Sequence, residues 1–121
     1  MSIISTILVV LVALEFFFIM YLETFKTVSD QTSRVFNISK DKLRDHHIQM
    51  LLKNQGIYNG IIGILLLYGV FFSGDPKEVC TMLLLYIVGV ALYGGISSDK
   101  SIFFKQGTLP IVTLISILFL A

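Results

Sequence analysis

Four long apolar runs, separated by short polar stretches, make up most of the 121-residue chain. The first covers residues 3–24 and is interrupted only by Glu15 and Glu23. The others cover about 48–72, 79–97 and 104–121, the last being the shortest. A helix needs roughly 20 mainly apolar residues to cross a bilayer. Many positions are β-branched, which favours strands in water. In lipid, the need to satisfy the backbone internally turns such runs into helices instead. The pattern predicts an all-α fold: an integral membrane bundle of four transmembrane helices, forming one domain over 1–121.

The connections are 25–47, 73–78 and 98–102. The second carries Ser73-Gly74-Asp75-Pro76, a strong turn signal. The short second and third connections make neighbouring spans antiparallel. Only 25–47 is long enough to hold structure. Ser39 is a predicted N-cap there, with 40–49 a polar helix running on into the second span. The first run has no Lys or Arg before Leu14, and no small-x-small site follows it. It reads as a retained helix, not a cleaved leader.

Composition agrees with this reading. Hydrophobic residues make up 55% of the chain, charged residues only 14%, and the mean hydropathy is +0.86. Soluble domains typically carry about 25% charge. The formal net charge of +1 provides no field to recruit nucleic acid. The single cysteine, Cys80, excludes an intrachain disulfide and a multi-cysteine metal site. His46 and His47 are adjacent and point about 100° apart on a helix, so they do not converge on a metal. No P-loop, dinucleotide fingerprint or Ser-His-Asp spacing is present, and no cofactor is expected.

The distribution of Lys and Arg sets an orientation. Lys26, Arg34, Lys40, Lys42, Arg44, Lys53, Lys100 and Lys105 fall on the side of the first and third connections, eight of the nine. Lys77 stands alone on the other. The positive-inside rule then makes 25–47 a cytoplasmic connection and puts both termini on the extracytoplasmic side.

Charges within a bilayer are expensive and need a reason. Glu15 falls near the predicted midplane. Glu23 lies about 12 Å closer to the cytoplasm and, on a regular α-helix, about 80° round the axis. The second span opens with Lys53-Asn54-Gln55-Gly56-Ile57-Tyr58-Asn59-Gly60. Gln55 and Asn59 share a helix face there. Gly56, Gly60 and Gly63 form a small-residue stripe that permits close helix approach. Tyr93 near the end of the third span, and Gln106 near the start of the fourth, lie on the same side. The polar residues therefore gather in the cytoplasmic half, around a cavity expected to open inward.

The candidate ligand-binding or proton-exchange residues are Glu15, Glu23, Lys53, Asn54, Gln55, Tyr58, Asn59, Tyr93 and Gln106. Glu15 is the expected proton-exchanging group, because desolvation disfavours the charged form of a midplane carboxyl. A Glu23–Lys53 salt bridge is the simplest structural account of Glu23. The leading functional expectation is a proton-coupled small-molecule or cation transporter. Its expected partners are the lipid bilayer, a small cationic or lipophilic ligand and a second copy in a homodimer, with no nucleic acid. The alternatives are an accessory protein whose polar cluster fixes helix packing, and a membrane-embedded acid–base enzyme acting on a lipophilic substrate.

Together these motifs resemble a family of small bacterial membrane proteins, domain of unknown function 1304. The resemblance covers nearly the whole chain. It is carried by Ala13-Leu14-Glu15, Tyr21-Leu22-Glu23, Asn54-Gln55-Gly56-Ile57-Tyr58-Asn59-Gly60, Tyr93-Gly94, and Gln106-Gly107 with Pro110. It implies a four-helix inner-membrane protein and no particular activity. Phe16 stands where the family is expected to carry histidine after the first Glu. Small multidrug transporters are alike in length, span number and a first-span Glu, but this chain lacks their tryptophan.

Overall fold

All four apolar runs form helices. The computed structural model describes residues 1–120, which hold six α-helices and no strand. Helix α1 (Ile3–Met20) continues through one π-helical turn, Tyr21–Phe25. The short helices α2 (Asp30–Phe36) and α3 (Lys40–Leu43) follow, then α4 (His46–Phe71), α5 (Pro76–Ser97) and α6 (Lys100–Leu120). The four long helices, Ile3–Phe25, α4, α5 and α6, are each long and apolar enough to cross a membrane.

Three of them begin outside their apolar runs, because polar caps set their starts. Asp45 Oδ2 accepts the Ile48 amide at 3.1 Å, so α4 starts at His46. Asp75 Oδ1 accepts the Glu78 amide at 3.2 Å, and Pro76 fills the first position, where its missing N–H costs nothing. Asp99 Oδ1 takes the Ser101 amide at 3.0 Å at the start of α6. Hydropathy cannot register these side-chain caps.

The 25–47 connection departs from expectation. Ser39 does cap a helix, its side chain accepting from Lys42 N at 3.3 Å. That helix stops at Leu43, and 40–49 is not one continuous segment. Leu43 is buried at its end, and Asp45 begins a separate helix by capping α4. Helix α2 was not predicted. Ser29 caps it by accepting from Thr32 N at 3.1 Å. Asn37, in the left-handed region at φ 54°, ends it, a role that suits asparagine.

Contacts divide the chain into two units. One comprises Met1–Ala13 and Ile64–Ala121. In it α5 and α6 pack closely, with Gly94 against Ile102, Gly95 against Phe103, and Gly107 against Phe103 and Ala91. Gly69 lies against Val79 and Cys80. Buried Ser5 and Ser116 join through their hydroxyls at 2.7 Å.

The other unit is Leu14–Gly63. Ile19, Leu22 and Phe36 form its apolar cluster, with Val35 and Ile38 packed on it. Threonines close the end of the first long helix, where carbonyls lack intrahelical donors. Thr27 Oγ1 donates to Glu23 O at 2.6 Å. Buried Thr32 Oγ1 lies 2.6 Å from Lys26 O and 3.2 Å from Leu22 O. At the surface, Lys40 Nζ meets Asp30 Oδ1 at 2.9 Å.

Two predictions follow from these contacts. Thr32→Val keeps the shape but strips the hydroxyl from those carbonyls. It should cost about 1–3 kcal/mol in equilibrium unfolding, the usual cost of an unmet buried polar group, with Thr32→Ser near wild type. The second concerns Asp30, whose hydrogen bond from Lys40, reinforced by that ammonium's charge, holds its carboxyl below the ordinary aspartate range. A depressed value adds stability at neutral pH that is lost as pH falls through it. Wild type and Asp30→Asn should therefore differ slightly at neutral pH, the pair being exposed, and converge once pH falls through the depressed value. Melting curves across pH would test this.

Candidate functional site

The centre of the candidate site is Glu23, placed by the π turn. The Lys26 amide reaches back five residues to Tyr21 O at 3.0 Å. Such turns are rare and recur at functional sites. Glu23 is 0% exposed. Its Oε2 accepts from Gln55 Nε2 at 2.7 Å, and its Oε1 accepts from Asn59 Nδ2 at 2.6 Å. Gln55 and Asn59 stand four apart on α4, one turn above the other, so a single helix face supplies both donors.

Two glycines make this approach possible. A Cβ on Gly56 would collide with Thr24 Oγ1 and stand 3.1 Å from Glu23 Cβ. A Cβ on Gly60 would collide with Met20 Sδ. Thr24 Oγ1 also donates to the Lys53 carbonyl at 3.0 Å. The stripe read from the sequence thus serves, at Gly56 and Gly60, to bring the α4 backbone onto the turn carrying Glu23.

Lys53 contributes its backbone carbonyl. Its side chain is exposed, and Glu23 is met by neutral amides, with no ion pair to Lys53 among the described residues. Glu15 is part-buried, and its Oε1 is shielded with no hydrogen-bond partner among those residues. Asn54 is exposed, Tyr58 is 67% exposed and Tyr93 is 71% exposed. Gln106 is part-buried. Tyr93 and Gln106 belong to the unit holding α5 and α6, and the other seven candidates to Leu14–Gly63.

The residues joined by side-chain hydrogen bonds are therefore Glu23, Gln55 and Asn59. Thr24, Thr27 and Thr32 support the turn around them without being evident from the apolar pattern. Their cue is a hydroxyl-rich stretch just past a span, at the point where helix carbonyls need donors. The His46 and His47 rings pack edge to face, centroids 5.8 Å apart. No group of three potential metal ligands forms among the described residues.

A wholly buried carboxyl that meets neutral donors is chemically specific. Its negative charge, if present, has no cationic side chain paired with it among the described residues, and an unpaired buried charge is costly. The group must hold a proton or attract a cation. It can act as an acid, a base or a cation ligand.

The Glu23 cluster falls within the part of the chain matched by known sequences. A family model described as "Protein of unknown function (DUF1304)" matches residues 10–118. The "Uncharacterized protein YpaA" of Lactococcus lactis subsp. lactis (strain IL1403) is 56% identical over 119 residues, 98% of this chain and 100% of that protein. No solved structure matches. On a family match spanning most of its length and a relative this similar end to end, the chain belongs to the DUF1304 family.

Proposed function

We propose that this chain is a multi-pass protein of the bacterial cytoplasmic membrane whose working group is the Glu23 carboxyl, exchanging a proton for a small cation or cationic molecule during transport. The four long helices support the membrane setting, as does their outer surface. Ile3, Leu14, Phe71, Ile96 and Phe119 are all exposed, a covering that water would penalise and lipid would not. The eight-to-one distribution of Lys and Arg supports both termini outside and 25–47 inside.

The observation that carries the functional reading is the buried Glu23 carboxyl held by two neutral amides. Gln55 and Asn59 would orient the carboxyl and re-form their bonds around an arriving cation. Gln55 is the exposed member, so one of the two amides that hold Glu23 reaches the surface. Glu23 thus takes the central role that depth alone gives to Glu15.

A second reading draws on the same contacts. Both Glu23 oxygens are already hydrogen-bonded, and Thr24 ties the same turn to Lys53 O. On that reading the cluster fastens α4 to the π turn, and the protein serves a larger membrane assembly as an accessory subunit.

Two measurements test these readings. Single cysteines replacing Ser2 and Ser39, in a Cys80→Ser background, should react with an impermeant thiol reagent from opposite sides of the membrane. Labelling of both from one side would refute the topology. A cation at one hundred times its dissociation constant should stabilise the purified protein by about 2.7 kcal/mol. Glu23→Gln should abolish that gain and its pH dependence, while Glu15→Gln keeps both. If no cation or amine stabilises wild type, and Glu23→Gln and Asn59→Leu merely lower the melting temperature at every pH, the cluster is a fastening.

A further inference from the structure

Lys100 opens α6 beside an apolar groove of about 410 Å³, lined by Leu92, Gly95 and Ile96 of α5 and by Lys100, Phe103 and Phe104 of α6. Each helix supplies residues at i, i+3 and i+4, so one continuous face of each forms a wall. The volume falls in the range of small-molecule sites, roughly 300–1,000 Å³. Gly95 shapes one side: a Cβ there would stand 2.7 Å from Phe103 Cβ. The Phe103 and Phe104 rings pack edge to face, 5.7 Å apart. Ile96 is 76% and Phe104 66% exposed.

Lys100 is the one charged residue among those lining the groove. Lys100 makes no ion pair among the described residues. The adjacent carboxylate of Asp99 caps α6 through the Ser101 amide. That carboxylate offsets the positive end of the α6 dipole, so the attraction for an anion comes from the lysine. An apolar slot with a cation at its mouth fits a molecule with a hydrocarbon tail and an anionic head. A soluble anion would gain nothing from the apolar walls. A peptide would bring backbone groups that these side chains cannot satisfy.

We propose that this groove binds an anionic phospholipid, one acyl chain lying against Leu92, Ile96, Phe103 and Phe104, its phosphate held by the Lys100 ammonium. The inference rests on the membrane reading but is independent of any role for Glu23. Lys100 lies at the polar end of two spans, where a lipid phosphate would sit.

The test is native mass spectrometry of the full-length protein in detergent, offered equal amounts of phosphatidylglycerol and phosphatidylcholine with identical chains. Wild type should retain the anionic lipid about fivefold better, the weight of one cation near a lipid surface. Lys100→Gln should remove that preference. Lys77→Gln, at the other end of α5, should leave it intact. Leu92→Trp, which fills the groove, should lower retention of both lipids. A preference that survives Lys100→Gln, or that falls equally with Lys77→Gln, overturns the proposal. So does unchanged retention in Leu92→Trp, or a change in its oligomeric state alone, which would make the groove a contact between copies. Detergent-dependent extraction of the same variants reports the membrane reading separately.

Discussion

A carboxyl group withdrawn from water must be met by donors, and at Glu23 that requirement organises the surrounding chain. Two amides reach it only because they stand one turn apart on α4. They come close only because Gly56 and Gly60 lack side chains. The turn that holds Glu23 is wide, and the carbonyls at its end are covered by threonines. Removing any of these parts would leave a polar group buried and unmet. The cost of such groups, about 1–3 kcal/mol each, exceeds what a single apolar contact in the same region returns.

The rest of the molecule is simpler. In the unit containing α5 and α6, glycines and small side chains let helices meet closely, and large apolar residues face outward. Ser5 and Ser116 are a buried polar pair joined by their hydroxyls, with Ser2 donating to the Ser5 hydroxyl as well. Polar chemistry is thus more concentrated around Glu23 than anywhere else among the described residues. That contrast makes the cluster the best candidate for function in a family described as one of unknown function.

The four long helices were legible because length and hydropathy alone specify them. Gln55 and Asn59 were legible as a shared face because α-helical spacing is regular. The helix starts were less so, since Asp45, Asp75 and Asp99 act through single side-chain oxygens that an apolar pattern ignores. The break after Leu43 was hidden for the same reason. Ser39 announces a helix, but nothing before Asp45 announces its end. Depth along a span drew attention to Glu15, whereas the donors were set opposite Glu23. Which carboxyl meets them depends on how two helices face each other, and one-dimensional periodicity carries no such information. The threonine contacts, reaching from Thr32 back to Leu22, were likewise out of reach until the connection folded.

The π turn also changes the angular phase of the first helix. A regular α-helix advances about 100° per residue, and that constant places Glu15 and Glu23 about 80° apart. The i to i+5 bond from Lys26 to Tyr21 widens the turn, so each residue within it advances by a smaller angle. Glu23 lags behind its α-helical azimuth, and part of the separation closes. The one local irregularity in the first span therefore turns its two carboxyl-bearing positions towards a common meridian, which no uniform helical wheel would draw.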